Sequence, residues 1–306
     1  MNRPQGKILI IRGGAIGDFI LTLPAIQAVR DRFPQTQLEI LGYPRIANLA
    51  LHAGLVDVVR SIETRAAAGF FARNGTLDPE LSDYFSQFGF IFSYLYDPDE
   101  IFQTNVAKVS KAQFVPGPHR PSEIGTQHAV SAFLQPMERL AIFDAEESIK
   151  INLKTDELLP GTWIALHPGS GSISKNWPLP EWQKLVEAIA WQTDWKMLLV
   201  GGEADAERFK SISKLVPQER TREAFNKPLW EMGALLAQCQ AFIGHDSGIT
   251  HLAAALGLRG IVIWGPSNKT VWHPKTPSLE ILDAGPALKN LQATEVFEKL
   301  RALVIT

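Results

Sequence analysis

The sequence predicts an α/β protein with two doubly wound parallel sheets, and three observations lead to this fold class. Short apolar runs alternate with helical patterns along the whole chain, which is typical of βαβ units. The chain has 306 residues, more than one hydrophobic core usually supports. All eight Trp lie after position 160 and all four Tyr before position 100, so the two halves have cores of different composition.

The polar stretch 144–162 predicts the connection between two domains, and we place the boundary between residues 155 and 156. In the first domain, strand patterns cover 7–11, 38–41, 56–59, 90–95 and 113–115, and helical patterns begin at 18, 46, 79 and 126. In the second domain, strand patterns cover 163–166, 197–200, 241–243 and 260–264, and helical patterns begin at 180, 203, 228, 249 and 294.

The composition excludes several classes of protein. A net charge of −2 gives no basic surface for nucleic acid. No signal peptide precedes the first strand, and no apolar stretch reaches the roughly 18 residues of a membrane span. The single cysteine, Cys239, lies in an apolar helical run, so we expect a buried thiol in a reducing compartment. These observations predict a cytoplasmic protein.

A glycine-rich turn, 12–17, follows the first strand and leads into the helix that begins at Asp18. It does not fit the G-x-G-x-x-G fingerprint, because Arg12 stands where the first glycine belongs and no acidic residue follows the second strand. The turn favours a helix that starts close to a ligand. Asp18 keeps two interpretations, a helix N-cap or a carboxylate that takes a proton from a substrate.

The stretch 167–178 follows the first strand of the second domain and carries glycines, serines and Lys175. Backbone amides, hydroxyls and one ammonium group suit a phosphate, although the P-loop motif is absent. The alternative is a flexible surface loop. Glu203 follows the next strand, where it can accept hydrogen bonds from a ribose or simply favour the start of a helix.

The stretch 244–257 predicts a strand end, a polar loop and a helix. Asp246, Ser247 and Gly248 fall where ligands of open α/β sheets bind, and the helix N-terminus offers free amides to a phosphate. The alternative is that Asp246 or Ser247 only caps the helix. The seven histidines show no metal-binding spacing, so we expect no metal.

Four blocks of the sequence resemble glycosyltransferase family 9, the heptosyltransferases of lipopolysaccharide core assembly. They are 7–18 with 21–25, 167–178, 201–203 and 246–254, and they follow the family's order along nearly the whole chain. The resemblance implies the GT-B fold, with two Rossmann-like domains facing a central cleft. It implies an acceptor-binding domain at 1–155 and a sugar-nucleotide-binding domain at 156–306, and it leaves open whether the last helix packs back on the first domain.

The resemblance also implies an inverting, metal-independent transfer of a heptose or related sugar from an ADP-sugar. It implies no cofactor, because the sugar nucleotide, ADP-heptose, is a co-substrate. Asp18 resembles the general base, and Lys175 resembles the group that stabilises the leaving diphosphate. The residues that resemble donor contacts are Gly14, Ser170, Gly171, Lys175, Glu203, Asp246, Ser247, Gly248 and His251.

The acceptor side aligns less well, and its basic candidates are Arg60, Arg65, Arg73 and Arg120. The implied acceptor is a lipopolysaccharide-core or other glycan, with peripheral contact at the cytoplasmic face of the inner membrane left open. Two rival functions remain at this point. A non-catalytic sugar-nucleotide-binding protein would keep the loops of the second domain without needing Asp18, and an NAD-dependent oxidoreductase would use the first glycine loop.

Overall fold

The computed structural model describes residues 6–305, and the chain forms two compact units that divide between Ile149 and Lys150. The sequence placed this boundary between 155 and 156. The segment after Lys150 lies with the second unit because the Ile151 amide donates to the Ala255 carbonyl at 2.8 Å, and Leu153 lies against Gly233.

The first unit is a five-stranded parallel sheet with strand order β3-β2-β1-β4-β5. Its elements, in chain order, are β1 (Lys7–Arg12), α1 (Ile16–Arg32), β2 (Gln37–Gly42), α2 (Pro44–His52), β3 (Val58–Ser61), α3 (Pro79–Ser86), β4 (Phe90–Ser93), α4 (Ile101–Ala107), β5 (Gln113–Pro116) and α5 (Ala129–Leu134). Two 3₁₀ helices, Arg65–Phe71 and Gln135–Leu140, complete it.

The second unit is a six-stranded parallel sheet with strand order β11-β10-β9-β6-β7-β8. Its elements are β6 (Trp163–Leu166), α6 (Leu179–Gln192), β7 (Lys196–Gly201), α7 (Ala206–Ser213), β8 (Thr221–Phe225), α8 (Leu229–Leu236), β9 (Ala241–His245), α9 (Gly248–Ala255), β10 (Gly260–Trp264), α10 (Lys269–Trp272), β11 (Leu279–Asp283) and α11 (Ala293–Ile305).

In both sheets the strand order reverses at the centre, and we call this point the reversal of the sheet. In the first sheet the chain runs outward from β1 through β2 and β3, then returns to β4 on the other side of β1. In the second sheet it runs from β6 through β7 and β8, then returns to β9 on the other side of β6. Ligands of open α/β sheets bind beyond the carboxyl ends of the two strands at such a reversal. We therefore expect a ligand-binding site at the loops after β1 and β4 or at those after β6 and β9.

Apolar strands and amphipathic helices form a core on each sheet. In the first sheet, Leu9 and Ile11 pack with Phe70, Phe85 and Phe102 on one face. In the second sheet, alternate strand residues pack under α6, α7 and α11, among them Ile164, Leu166, Met197, Leu199, Ile243 and Ile263. The last helix, α11, contacts α6, β9 and β10.

The structure differs from the sequence prediction at four elements that the patterns did not reveal, namely α4, β8, α10 and β11. Strands β8 and β11 lie at the two edges of their sheet and are partly exposed, so neither carries a continuous apolar run. Helix α1 begins at Ile16, before Asp18, and β3 begins at Val58 instead of residue 56.

Candidate active site

The reversal of the second sheet places two predicted ligand loops next to each other. The loop after β6 runs from His167 to Pro178, and the loop after β9 contains Asp246 and Ser247 before α9 begins at Gly248. Strands β6 and β9 are hydrogen-bonded neighbours, with Leu166 opposite Ile243. Side chains that are far apart in sequence thus meet at the carboxyl edge of this sheet.

Lys175 and Asp246 form an ion pair across these loops, with 2.6 Å between Lys175 Nζ and Asp246 Oδ2. The Asp246 side chain is 8% exposed and the Lys175 side chain 34% exposed, so the pair has one buried and one accessible partner. Asp246 is not the cap of α9, because Ser247 occupies the N-cap position, and the Asp246 carboxylate instead binds the ammonium group of the facing loop. The arrangement places one positive charge beside the N-terminus of α9, where backbone amides already favour an anion.

Ser247 is the N-cap of α9, since its Oγ accepts a hydrogen bond from the Thr250 amide at 3.3 Å. The capping interpretation is therefore correct for Ser247. The same Oγ lies 3.2 Å from His167 Nδ1. On its other side, the His167 ring has Nε2 3.4 Å from Asp205 Oδ2. A chain of polar contacts thus runs from the α9 cap to the residue that precedes α7.

Asp205 connects this chain to the loop after β6 because its Oδ1 accepts from the Gly171 amide at 3.2 Å. Burial alone raises the pKa of Asp205, but hydrogen bonds and charge from His167, the Gly171 amide and His245 outweigh burial and leave the pKa below its ordinary value. Gly171 has φ of +72°, a conformation that favours glycine. The Gly171 amide is thus bonded within the protein.

Ser170 also shapes this loop. Its Oγ lies 2.8 Å from both the Ser172 carbonyl and Asn176 Oδ1. Of the loop residues predicted to contact a diphosphate, Lys175 therefore presents the accessible charge, while Ser170 and Gly171 hold the loop in shape.

His245, the last residue of β9, supports the loop between β6 and α6 and was not identified as a site residue from the sequence. Its side chain is fully buried. The Trp177 amide donates to Nε2 at 2.9 Å and Trp182 Nε1 donates to the same atom at 3.3 Å. Since Nε2 accepts, Nδ1 carries the proton and donates to the Gly169 carbonyl at 3.1 Å. A strand-terminal histidine in an apolar run was the only sequence signal for this role.

His245 is uncharged in the folded protein. Burial lowers its pKa to about 3, against the opposing effect of the hydrogen bond to Gly169. Arg208, on α7, fixes the same loop by donating from Nε to the Pro168 carbonyl at 2.9 Å. The loop between β6 and α6 is thus held by buried side chains, and the flexible-loop interpretation does not describe it.

Two further residues predicted on the donor side, Glu203 and His251, lie at the same edge of the second sheet. Glu203 follows β7 in a short 3₁₀ turn and is exposed, with its Oε1 accepting from Asn226 Nδ2 at 3.2 Å. His251 lies in the first turns of α9 and is 5% exposed. Glu203 is accessible to a ligand, whereas the side chain of His251 is largely inside the protein.

In the first unit, Asp18 is the third residue of α1, and Ala15 occupies the N-cap position without a side-chain bond. The N-cap interpretation of Asp18 is therefore wrong. Its side chain is half-buried, and within residues 6–305 no hydrogen bond reaches the carboxylate. Gly14, with φ of +95°, passes so close that a Cβ there would lie 3.3 Å from Asp18 Oδ2. The glycine turn thus leaves room for this carboxylate.

Arg12, the last residue of β1, is a second buried polar side chain that sequence reasoning missed. Its Nη2 donates to the Asp18 carbonyl at 3.0 Å, and its Nη1 donates to the His119 carbonyl at 2.9 Å and the Tyr94 carbonyl at 3.3 Å. The residue that broke the dinucleotide fingerprint therefore ties the start of α1 to two other loops.

The four arginines predicted for an acceptor differ in their surroundings. Arg60 lies 3.7 Å from the buried carboxylate of Glu39 and 4.6 Å from the ring centre of Tyr84, which gives it a structural role. Arg73 pairs with Asp99 at 3.9 Å, and Arg120 pairs with Glu123 at 2.5 Å. Arg65 is exposed at the start of a 3₁₀ helix.

A groove of about 660 Å³ lies between β5 and the segment 135–143. Its lining includes Phe114, Arg139 and Phe143 and none of the predicted site residues.

Cys239 is buried, which raises the pKa of its thiol to about 12. Among the described residues, no group of three His, Cys, Asp or Glu side chains could hold a metal ion. No helix of that part of the chain has the length and apolar character to cross a membrane.

The fold and these loops define a glycosyltransferase with two Rossmann-like parallel sheets flanked by helices, the GT-B architecture. Residues 133–301 match the sequence profile of glycosyltransferase family 9 (heptosyltransferase), and the chain belongs to this family. The resemblance, the fold class and the enzyme class inferred from the sequence are thereby confirmed.

Individual relatives agree with this assignment. Lipopolysaccharide heptosyltransferase 1 of Pseudomonas aeruginosa is 29% identical over 147 residues, which cover 46% of this chain and 41% of that protein. Lipopolysaccharide heptosyltransferase 3 of Escherichia coli K12 is 23% identical, with 86% of this chain and 83% of that protein covered. The solved structure of E. coli ADP-heptose lipopolysaccharide heptosyltransferase II superimposes with a TM-score of 0.78 at 17% identity, covering 98% of each chain.

The neutral state of His245 predicts a pH dependence of stability. Its pKa falls to about 3 from an ordinary value of about 6.5, so between these values the unfolded chain binds the extra proton. The free energy of unfolding should therefore fall as pH drops below about 6.5, by roughly 2 kcal/mol at pH 5. We expect His245→Gln, which keeps a donor and an acceptor but does not titrate, to remove most of this slope.

Denaturant unfolding between pH 5 and 7.5 measures the two slopes. His52→Gln, at an exposed histidine, is the matched control and should keep the wild-type slope. Equal slopes for the wild type and His245→Gln would show that His245 does not titrate as the structure requires.

Proposed function

We propose that this glycosyltransferase transfers a heptose or related sugar from an ADP-sugar to a lipopolysaccharide-core or other glycan acceptor, with inversion at the anomeric carbon and without a metal. The second unit would hold the donor, and the first would supply the general base. The observation that carries this proposal is the Lys175–Asp246 pair beside the N-terminus of α9, at the reversal of the second sheet.

The donor side has the features that a diphosphate needs. Lys175 offers an accessible ammonium group, and the first amides of α9 point toward the same edge of the sheet. As the bond between the anomeric carbon and the diphosphate breaks, negative charge grows on the leaving phosphate, and this positive environment would stabilise that charge. Glu203, exposed at the end of the neighbouring strand β7, is the group we assign to the ribose hydroxyls.

Asp18 is the group we assign to the acceptor. Its carboxylate is half-buried at the reversal of the first sheet and has no hydrogen bond from the described residues. In the proposed step an acceptor hydroxyl oxygen forms a bond to the anomeric carbon, its proton passes to Asp18, and ADP leaves with the electron pair of the broken bond. A direct displacement of this kind inverts the anomeric carbon.

The choice of ADP-heptose rests on the family and on the relatives. Heptosyltransferases use ADP-heptose, and the related E. coli enzymes act in lipopolysaccharide assembly. We extend this to a reaction at the cytoplasmic face of the inner membrane, where a glycolipid acceptor would be presented to the protein.

Nucleotide selectivity provides the first test. A ligand that binds only the folded protein raises its melting temperature. We expect ADP to stabilise the protein more than UDP, GDP or NAD at equal concentration in a thermal shift assay. Preference for UDP or GDP would contradict the adenine nucleotide donor, and stabilisation by NAD alone would contradict the transferase assignment.

The Lys175–Asp246 pair predicts a pattern of ADP affinities. Lys175→Ala removes the accessible charge and leaves the buried Asp246 carboxylate facing the diphosphate, so we expect ADP affinity to fall by about tenfold to a hundredfold. Adding Asp246→Asn to this variant removes the repulsion and should recover part of the loss. Isothermal titration calorimetry measures all three affinities.

Lys184→Ala is the matched control, because Lys184 makes an ion pair of the same length, 2.6 Å, with Glu181 on the exposed face of α6. Its ADP affinity should equal that of the wild type. A double variant that binds ADP no better than Lys175→Ala would contradict the proposed repulsion.

The role of Asp18 predicts a separation of chemistry from donor binding. Asp18→Asn keeps the size of the side chain but cannot take the proton, so we expect the transfer rate to fall by about 10²–10⁴-fold. ADP affinity should stay within about twofold, since the proposed donor contacts other than Gly14 lie in the second unit. Asp31→Asn, at an exposed aspartate of the same helix, should retain full activity.

The transfer rate is measured as the release of ADP from ADP-heptose in the presence of a lipopolysaccharide-core acceptor. Full activity of Asp18→Asn would exclude Asp18 as the base.

A further inference from the structure

One buried guanidinium joins the first turn of α1 to two loops at the carboxyl edge of the first sheet. Arg12, 2% exposed, donates to the carbonyls of Asp18, Tyr94 and His119, which follow β1, β4 and β5 in turn. Strands β1 and β4 are the pair at which this sheet reverses. The backbone of the proposed base is therefore tied to the loops that follow β4 and β5.

The surroundings of Arg12 make this connection rigid. The guanidinium carbon lies 4.6 Å from the ring centre of Phe133 and 5.5 Å from that of Tyr94. The Tyr94 hydroxyl donates to the Phe133 carbonyl at 2.7 Å, which fixes that ring in turn. Burial lowers the pKa of Arg12, while the nearby charge of Asp18 opposes this shift. An arginine stays protonated under such conditions, and the carbonyls that it binds solvate its charge.

Two aromatic side chains stand on the loops that Arg12 holds. Tyr96 is 70% exposed, and its ring centre lies 4.6 Å from that of His119 at an angle of 61°. His119 is also exposed. Within residues 6–305, neither the Tyr96 hydroxyl nor the His119 ring nitrogens make a hydrogen bond. The pair thus presents an apolar ring face together with unused polar groups at the rim.

The charged neighbours of this pair are engaged elsewhere. Arg120, adjacent to His119, pairs with Glu123, and Arg73 pairs with Asp99 in the loop that follows Tyr96. The surface around Tyr96 and His119 is therefore aromatic with paired charges, which suits an uncharged sugar ring better than a bare phosphate. A face of aromatic carbon with a few polar groups is typical of a site that binds a small amphipathic ligand.

We propose that Tyr96 and His119 form a platform that packs against a sugar ring of the glycan acceptor and presents its hydroxyl to Asp18. This inference rests on the proposed function, because it takes Asp18 as the base for a glycan acceptor. The C–H face of the sugar lies on the Tyr96 ring, and its hydroxyls reach the Tyr96 hydroxyl and the His119 nitrogens. Arg12 is a positioning residue, since it holds the platform and Asp18 together without contacting the sugar.

Tyr96→Ala tests the platform, and the exposure of Tyr96 means that the change leaves the core intact. With deacylated lipopolysaccharide-core oligosaccharide as the acceptor, we expect the acceptor KM to rise about tenfold or more. The KM for ADP-heptose and the thermal shift with ADP should stay at wild-type values. Tyr96→Phe keeps the ring face and should retain an acceptor KM within about threefold of the wild type.

Trp191→Ala is the matched control for the loss of an exposed aromatic ring. Trp191 is 86% exposed near the end of α6, and a helix that follows a parallel strand ends at the opposite edge of the sheet. Its acceptor KM should not change. An unchanged acceptor KM for Tyr96→Ala, with normal wild-type transfer, would overturn the platform and leave the proposed function standing. Absence of wild-type transfer from ADP-heptose to the oligosaccharide would overturn the proposed function itself.

Discussion

The loop between β6 and α6 depends on a histidine that stays neutral. His245 accepts from the Trp177 amide and donates to the Gly169 carbonyl, so it joins the two ends of the loop between β6 and α6. A charged ring would have to donate from both nitrogens, and the Trp177 amide would then face a donor instead of an acceptor. Lys175, which pairs with Asp246, lies within the loop that His245 holds at both ends.

The first sheet uses a buried polar residue in the same place. Arg12 ends β1 as His245 ends β9, and each of these strands flanks the reversal of its sheet. In both cases a buried polar side chain bonds to backbone atoms of loops and fixes residues that remain accessible. Buried polar groups need partners, so such residues restrict a loop to the few conformations that satisfy them. Rigid loops at a reversal are a reasonable basis for positioning a base or a diphosphate.

Much of the fold could be predicted from the sequence, because β1, β6, β9 and β10 are buried on both faces and therefore read as continuous apolar runs. The edge strands β8 and β11 were not predicted, because they are partly exposed and carry no continuous apolar run. Asp18, Lys175 and Asp246 could be named as candidates from the sequence, because ligands of open α/β sheets bind beyond the carboxyl ends of strands. His245 and Arg12 were not, since their roles depend on partners 68 and 107 positions away, such as Trp177 and His119.

The closeness of Lys175 to Asp246 has a consequence for selectivity against simple ions. In the resting protein the Asp246 carboxylate offsets part of the Lys175 charge, so the attraction of this edge for chloride or sulfate is weaker than an unpaired lysine would give. A ligand must offer enough additional contacts to compete with the Asp246 carboxylate for the ammonium group. Under the proposed function, the pair would therefore set an affinity threshold that favours a sugar nucleotide, with its several contacts, over small anions.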